Sequence, residues 1–544
     1  MFKRVAEALF PHEYNTDGAF SLRLTIHRSI YFVLMLILAA SQPVSNYMMS
    51  ATEILLAVNW VAEWDMRCKF RRENIHSLLV FFLVFLAVHL LWLIPTENLN
   101  YGLNDLFKKL PLFAIPLVVL TSRPLNKHQI SVIMFFYVVA VFVATIIGRI
   151  RYVTMPYLPY RDIIPYISHI RFSLNVCVSI VLLVAFMVVG WRRYMASSKW
   201  YWVVEAVAAS LVVLLVGFLM IVRSYTAIVI LVVTGIVLLV VFWRKIADRW
   251  IKTSVLLGAA AVVGIGIWIF VTMTKDYYRL VPLATQPKVA YTVNGNPYSH
   301  GKDGMIENGN YVDDYVCLVE LQSEWEKLGS LKLSDTTSNG YAVFPTLVRY
   351  LNAKGVTKDS VGIQSLTPSD VEAIEKGIAN PVYITGSSVR RMVYVLLYEY
   401  ESYRCLNAVK NFTVLQRLEL WKNGWRVFRD NPVFGTGTGD VVDVCHERLR
   451  ADNSALTGTK KHIHNQYLTL LVTFGIVGFL VIAITFVWAL RKEKFLSIPF
   501  VLAYLCILLI SFISEDTLET LAGAVFSVYF LCFFAVHREE LSNV

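Results

Sequence analysis

The stretch KKHIHNQYLTLLVTFGIVGFL, Lys460 to Leu480, sets two imidazoles and two carboxamides at the mouth of a long apolar run. Polar side chains are costly to desolvate without partners, so His462, His464, Asn465 and Gln466 need either hydrogen bonds or a polar cavity. A neutral imidazole accepts a proton near pH 7, which few unperturbed side chains do, and that suits a general base. Cations supply the complementary chemistry. Arg149, Arg151, Arg161, Arg171 with its neighbour His169, and Arg223 all stand in or beside apolar runs. Charged groups at membrane depth or at its edge are functional candidates. Arg223, in GFLMIVRSYTAIVILV, lies between two apolar runs with almost no loop. Two readings stay open for it: snorkelling to the interface beside a lipid headgroup, or clamping an anion, because guanidinium meets phosphate through a planar fork. Arg171, in ISHIRFSLNV, has the same two readings.

The elements that must position these residues are membrane spans. With 56% hydrophobic and only 16% charged residues in 544, the composition excludes an ordinary soluble protein. Apolar runs of about 20 residues match a hydrocarbon core of about 30 Å. About twelve spans are expected, at roughly 29–48, 50–66, 75–94, 106–121, 130–149, 171–190, 201–221, 224–243, 252–273, 465–489, 496–514 and 519–537. The net charge of +11 lies largely in short loops, including RCKFRREN, WRRYMASSKW, WRKIADRWIK and RKEK, so topology explains it better than nucleic-acid binding does. These basic loops and both termini fall on one side, expected to be cytoplasmic. The N-terminal stretch is polar and amphipathic, without a cleavable signal pattern.

On the opposite side a long polar segment interrupts the spans. The expected organisation is therefore residues 1–273 as a first membrane region with nine helices, 274–463 as an outer domain, and 464–544 as a last membrane region with three. TPSDVEAIEKGIAN reads as a helix with an early Pro and early acids. The segment from Gly386 carries helical spacing as far as Asn431-Pro432. In its last part, VLQRLELWKNGWRVFRDNPVFGTGTGD, the Trp421, Trp425 and Phe428 stripe is expected in the core, and Arg417 faces either solvent or the site. GTGTGD lacks the Lys-Ser/Thr of a phosphate loop and follows no strand, so it reads as a tight turn. Of seven cysteines only Cys317, Cys405 and Cys445 fall in the outer domain, which allows at most one disulfide there. No metal-ligand spacing occurs. Repeated halves and broken helices, marks of many transporters, are not legible.

QRLELWKNGWRVFRDNPVFGTGTGD followed by HIHNQYLTLLVTFGIVGFL resembles the signature of the O-antigen ligase and polymerase superfamily. There a helix of the form R-x-x-x-W precedes N-P-x-x-G-x-G, and H-N-x-[YF]-L opens the next span. The likeness extends to about twelve spans, a large outer loop before the last few, and an Arg between two spans, although the family's usual Ser-Arg-Gly is Val-Arg-Ser here. SEDTLETLAGAVFSVYFLCFF and ISHIRFS look like the Bacteroidetes-type branch.

The resemblance implies an all-α polytopic glycosyltransferase of the integral-membrane C type in the bacterial inner membrane, with its large, mostly helical periplasmic domain between helices 9 and 10. It implies an O-antigen ligase of lipopolysaccharide biosynthesis, carrying glycan from undecaprenyl pyrophosphate to lipid A-core oligosaccharide with inversion. Under it, Arg223 and Arg417, helped by Arg171, hold the pyrophosphate, and His464 is the general base. His462, Asn465 and Gln466 support it, the amides by orienting the imidazole or binding sugar hydroxyls. A polymerase or a protein O-oligosaccharyltransferase shares this donor chemistry; a lipid-linked glycan transporter is the reading from another class. No cofactor is expected, and the first outer loop, SQPVSNYMMSATE, offers only Glu53 as a metal-binding carboxylate. Glycan transfer by the purified protein should therefore survive chelator treatment; loss on chelation with recovery on adding a divalent metal contradicts the arginine mechanism.

Overall fold

The computed structural model describes residues 7–13, 20–64, 69–70, 76–155, 158, 160–190, 200–243, 249–301, 304–410, 412–458 and 460–538. In chain order its first helices are α1 (Leu22–Ser41), α2 (Asn46–Glu63), α3 (Ser77–Leu91), α4 (Leu99–Lys108), α5 (Pro111–Thr121), α6 (Lys127–Thr154), α7 (His169–Ala185), α8 (Tyr201–Ile221) and α9 (Tyr225–Phe242). Next come α10 (Arg249–Tyr278), a hairpin of β1 (Ile306–Glu307) and β2 (Asn310–Tyr311), α11 (Leu318–Leu328), α12 (Val343–Lys354), α13 (Pro368–Glu375) and α14 (Ser388–Leu406). The last are α15 (Thr413–Asp430), α16 (Val441–Ala451), α17 (Gln466–Lys492), α18 (Pro499–Ser514) and α19 (Leu521–Val536).

Among the described residues seven helices are long and apolar enough to cross a membrane: α1, α6, α7 with its extension to Val188, α8, α9, α10 from Lys252, and α17. Helices stand at the other five expected places too. α3, α18 and α19 are apolar but shorter, at 15, 16 and 16 residues. The fold is mostly helical, consistent with an all-α membrane protein. Most of the basic loop residues that orient the chain, 67–68, 71–74, 191–199 and 244–248, lie outside the described residues, as does Cys68. Among the described residues the six other cysteines form no disulfide.

Local chemistry moves several boundaries. Ser21 caps α1 by accepting from the Leu24 N–H, so the first span starts seven residues earlier than expected, and Pro43 follows its end. Pro111 divides the expected fourth span, opening α5 where its missing N–H costs nothing. That leaves α4 as a separate amphipathic helix, with Leu99, Leu103 and Phe107 exposed and Asp105 turned inward.

The chain divides into two compact units, Met1–Lys245 with Arg417–Val544, and Ile246–Gln416. In the first, α19 is the axis: fourteen of its sixteen residues are buried, the pattern of a helix apolar on all sides. It packs on α5 and, through Tyr529, on α1, the hydroxyl donating to the Met35 carbonyl at 2.9 Å. Tyr504 of α18 likewise donates to the Phe526 carbonyl at 2.8 Å. The second unit has its own core around Trp325, Leu347, Leu351 and Ile363. There Arg349 grips the buried Glu307 through two bonds of 2.9 Å and lies over the Tyr398 ring. α13 carries the expected start, with Pro368 in its first turn and Thr367 and Asp370 forming a capping box across it.

One connection in the first unit prepares the site. α17 is broken at Gly475, whose φ of 61° and ψ of −170° belong to glycine. A break strands the Val472 and Thr473 carbonyls and the Ile476 and Val477 N–H groups, which would otherwise pair with each other four residues apart. The NPVFGTG segment after α15 satisfies all four. Thr436 and Gly437 donate to Val472 and Thr473 at 2.8 and 3.0 Å, while Ile476 and Val477 donate to Pro432 and Val433 at 2.9 and 3.2 Å. Gly435, at φ 70°, permits this approach, since a Cβ there would stand 2.5 Å from both carbonyls. The glycine run is thus a turn, as expected; these two N–H groups pair with protein carbonyls. The sequence shows no broken helix, but the structure has one, because a single glycine interrupts α17 without changing its hydropathy; the four groups it frees pair with protein. Gly475→Ala should cost about 1–3 kcal/mol in backbone strain, plus a clash 2.3 Å from the Val433 carbonyl. A lowered melting temperature in detergent tests this, with Gly217→Ala, which meets open space, as the near-neutral control.

Candidate functional site

His464 is the last residue before the cap of α17, and its backbone is left-handed, at φ 56°. A non-glycine residue holds that conformation at a cost of about 1–2 kcal/mol, so the surroundings must impose it. Three contacts do so. The His464 and Asn465 N–H groups both donate to the Asp516 carboxylate, at 2.6 and 3.1 Å. The Trp421 indole N–H of α15 donates to the His464 carbonyl at 3.1 Å. Gly424, one turn further on, lets α15 approach Ile463 and Leu468 closely. The imidazole itself stays 37% exposed, so the strained backbone presents the ring to an open surface.

Beside the ring stands Glu515, in the short loop between α18 and α19. Its Oε2 lies 3.8 Å from His464 Nδ1, and its Oε1 is bonded to Arg417 Nη2. Burial by itself would raise this carboxyl, but His464, Arg417 and Arg171 together hold it below the ordinary glutamate range. The loop is fixed from beneath by Arg171, which is buried: Nη2 donates to the Asp516 carbonyl at 3.0 Å, Nη1 to Thr517 and Nε to Thr520, both at 3.2 Å. From the α17 side, Thr469 donates to Asp516 at 2.7 Å.

The other sequence candidates fall out as follows. Asn465 is the N-cap of α17, its Oδ1 accepting from the Leu468 N–H at 3.1 Å. Gln466 is fully buried and straps the loop, accepting from the Leu518 N–H at 2.8 Å and donating to Glu519 at 3.1 Å. These bonds engage the Asn465 Oδ1 and both polar atoms of the Gln466 amide, because a helix start and a buried loop each present N–H groups that must be met. His462 is exposed, within electrostatic range of Asp516 and Glu519. Arg171 has all three nitrogens engaged by the loop, so it holds the site's frame; a direct phosphate contact competes with those bonds.

Arg223 also has a left-handed backbone, at φ 53°. It closes α8 where glycine is the usual residue, with Ser224 donating to Leu219 at 3.0 Å and Arg223 to Met220 at 3.3 Å. Its guanidinium lies 5.4 Å from the Tyr160 ring centre, and Arg161 lies 5.6 Å from the same ring. Among the described residues Arg223 has no acidic partner. Tyr160 meets His169 edge-on at 5.6 Å, and His169 lies within electrostatic range of Arg161, Glu515 and Arg417. This chain of neighbours joins Arg223 to the His464 surface. Arg149 is exposed, and Arg151 donates to the Asp162 carbonyl at 3.2 Å.

Glu515, Asp516, Trp421 and Tyr160 were missed as site residues. The two acids carry a signal that was available: charge at the junction of two apolar runs, the same rule that singles out the arginines. Among the described residues no three His, Cys, Asp or Glu side chains cluster to hold a metal ion.

Residues 377–483 match the family model described as O-antigen ligase. The match includes Arg417, the glycine turn and the His462 to Gln466 stretch, and it supports the O-antigen ligase superfamily. A search of curated proteins gives no match. The apolar helices indicate a multi-pass membrane protein, and over residues 377–483 the chain is similar to the O-antigen ligase family.

Because the Glu515 carboxyl is depressed in the fold, its stabilisation is present above the ordinary glutamate value and is lost as pH falls through the folded value. Glu515→Gln should therefore lower stability by about 1.5–3 kcal/mol near pH 7. The melting difference from wild type should close on acidification; a constant difference across that range contradicts the charge-based account.

Proposed function

We propose that the protein is an O-antigen ligase: it transfers a glycan from undecaprenyl pyrophosphate to a hydroxyl of lipid A-core oligosaccharide at the periplasmic face of the bacterial inner membrane. The observation that carries this reading is the His464 ring, held on a strained backbone beside the buried Glu515, which also pairs with Arg417. The family match across the same stretch supports it.

The reaction needs two things from the chain. The leaving pyrophosphate develops negative charge as the glycosidic bond breaks, and fixed cations stabilise that charge where water is excluded. Arg223, without an acidic partner among the described residues, and Arg417, which can exchange Glu515 for phosphate oxygens, supply those cations in this reading. The acceptor hydroxyl must lose its proton as it attacks the anomeric carbon from the face opposite the leaving group, which inverts that centre. His464 takes the proton, and the Glu515 carboxylate balances the imidazolium that forms. Every charge in this scheme comes from side chains, so it needs no metal ion.

Incubating the purified protein with lipid-pyrophosphate glycan and lipid A-core tests the assignment. Product on lipid A-core supports the ligase. A longer glycan still on undecaprenyl pyrophosphate identifies a polymerase instead, and glycan on protein hydroxyls an oligosaccharyltransferase. His464→Ala should lower turnover by about 10²–10⁴-fold while donor binding stays nearly intact. Normal turnover in that variant moves the base elsewhere.

A further inference from the structure

We propose that Lys109, at the junction of α4 and α5, is a positioning residue for the transfer reaction: its ammonium anchors the far end of the loop whose near end carries Glu515 and Asp516. The proposal rests on the reading of His464 as the base.

Lys109 is only 5% exposed and its ammonium meets two carboxylates, Asp105 at 2.7 Å and Glu519 at 2.8 Å. Both partners are as buried as the lysine. The second Glu519 oxygen accepts from Gln466 at 3.1 Å, so the acid is tied to α17 as well.

The consequence follows from the length of the loop. Glu515 and Asp516 on one side of the Thr517–Glu519 turn set His464, and Glu519 closes the other side. Arg171 holds the middle. A turn this short transmits the displacement of one end to the other, since it has no slack to absorb it. Removing the ammonium leaves Asp105 and Glu519 facing each other as two buried carboxylates, which cannot both remain charged at that separation. The loop then shifts, and the Glu515 and Asp516 contacts that orient His464 shift with it. Arg223 belongs to the turn between α8 and α9 and Arg417 to α15, so neither donor-binding arginine is carried on this loop, and donor affinity should be spared.

Steady-state transfer by Lys109→Met and by Lys109→Met/Glu519→Gln tests the proposal. The double variant removes the opposing charge along with the lysine and so keeps the test decisive if the single variant does not fold. The expected result is a kcat lowered by about ten- to a hundredfold in each folded variant, with the donor KM within about twofold, the split that misplacement of a catalytic group produces. Wild-type kcat in the double variant, or a donor KM that rises as steeply as kcat falls, overturns it. Failure of the wild-type protein to use the lipid-pyrophosphate donor counts instead against the proposed function. An active wild type with an unaffected double variant counts against the Lys109 role alone.

Discussion

The Asp516 carboxylate receives the N–H groups of His464 and Asn465 and the Thr469 hydroxyl, and its own carbonyl is held by Arg171. The rest of the site depends on this clasp. It fixes a left-handed histidine backbone that an isolated chain would abandon, and it sets the start of α17 against the loop between α18 and α19. Glu515 precedes Asp516 in sequence, so the clasp also determines where the second carboxylate stands relative to the imidazole and Arg417. The buried arginine beneath is thereby committed to architecture, whereas the arginine over Tyr160 keeps its charge available.

A second accounting problem is solved by the chain around Gly475. Hydrogen bonds cannot be left open in an apolar surround, and a helix broken in its apolar run opens four groups at once. The NPVFGTG segment closes them pairwise. This docks the end of α15 against α17, and α15 is the helix that brings Arg417 and Trp421 to the histidine. The glycine-rich motif thus serves geometry, letting backbone meet backbone, and only through that geometry does it serve chemistry.

Much of this was legible in the sequence. Apolar runs located helices at all twelve expected places, and the polar collar at 462–466 with the charged edges pointed to His464 and Arg223 as groups to examine, while Arg417 came forward through the resemblance. The break at Gly475 was not legible, because hydropathy averages across a single glycine and says nothing of a distant segment inserted beside it. Asn465 caps α17 and Gln466 straps a buried loop, demands that appear only when the partner loop is placed. The acids at 515 and 516 were visible as charges at a membrane edge, but their link to His464 crosses some fifty residues that no local pattern spans. Compactness also groups Arg417 onward with the helical bundle, whereas composition had grouped the polar stretch as one piece.

The central claim is that Arg223, Arg417 and His464 serve one lipid-pyrophosphate substrate on one surface. The most direct measurement is a cryo-electron microscopy structure of the full chain in a lipid nanodisc with a non-hydrolysable lipid-pyrophosphate glycan analogue. The account predicts pyrophosphate density in contact with the Arg223 and Arg417 guanidiniums, with the anomeric carbon facing the His464 ring. Density held by other residues, with Arg417 still paired to Glu515 and His464 facing no sugar, would contradict it.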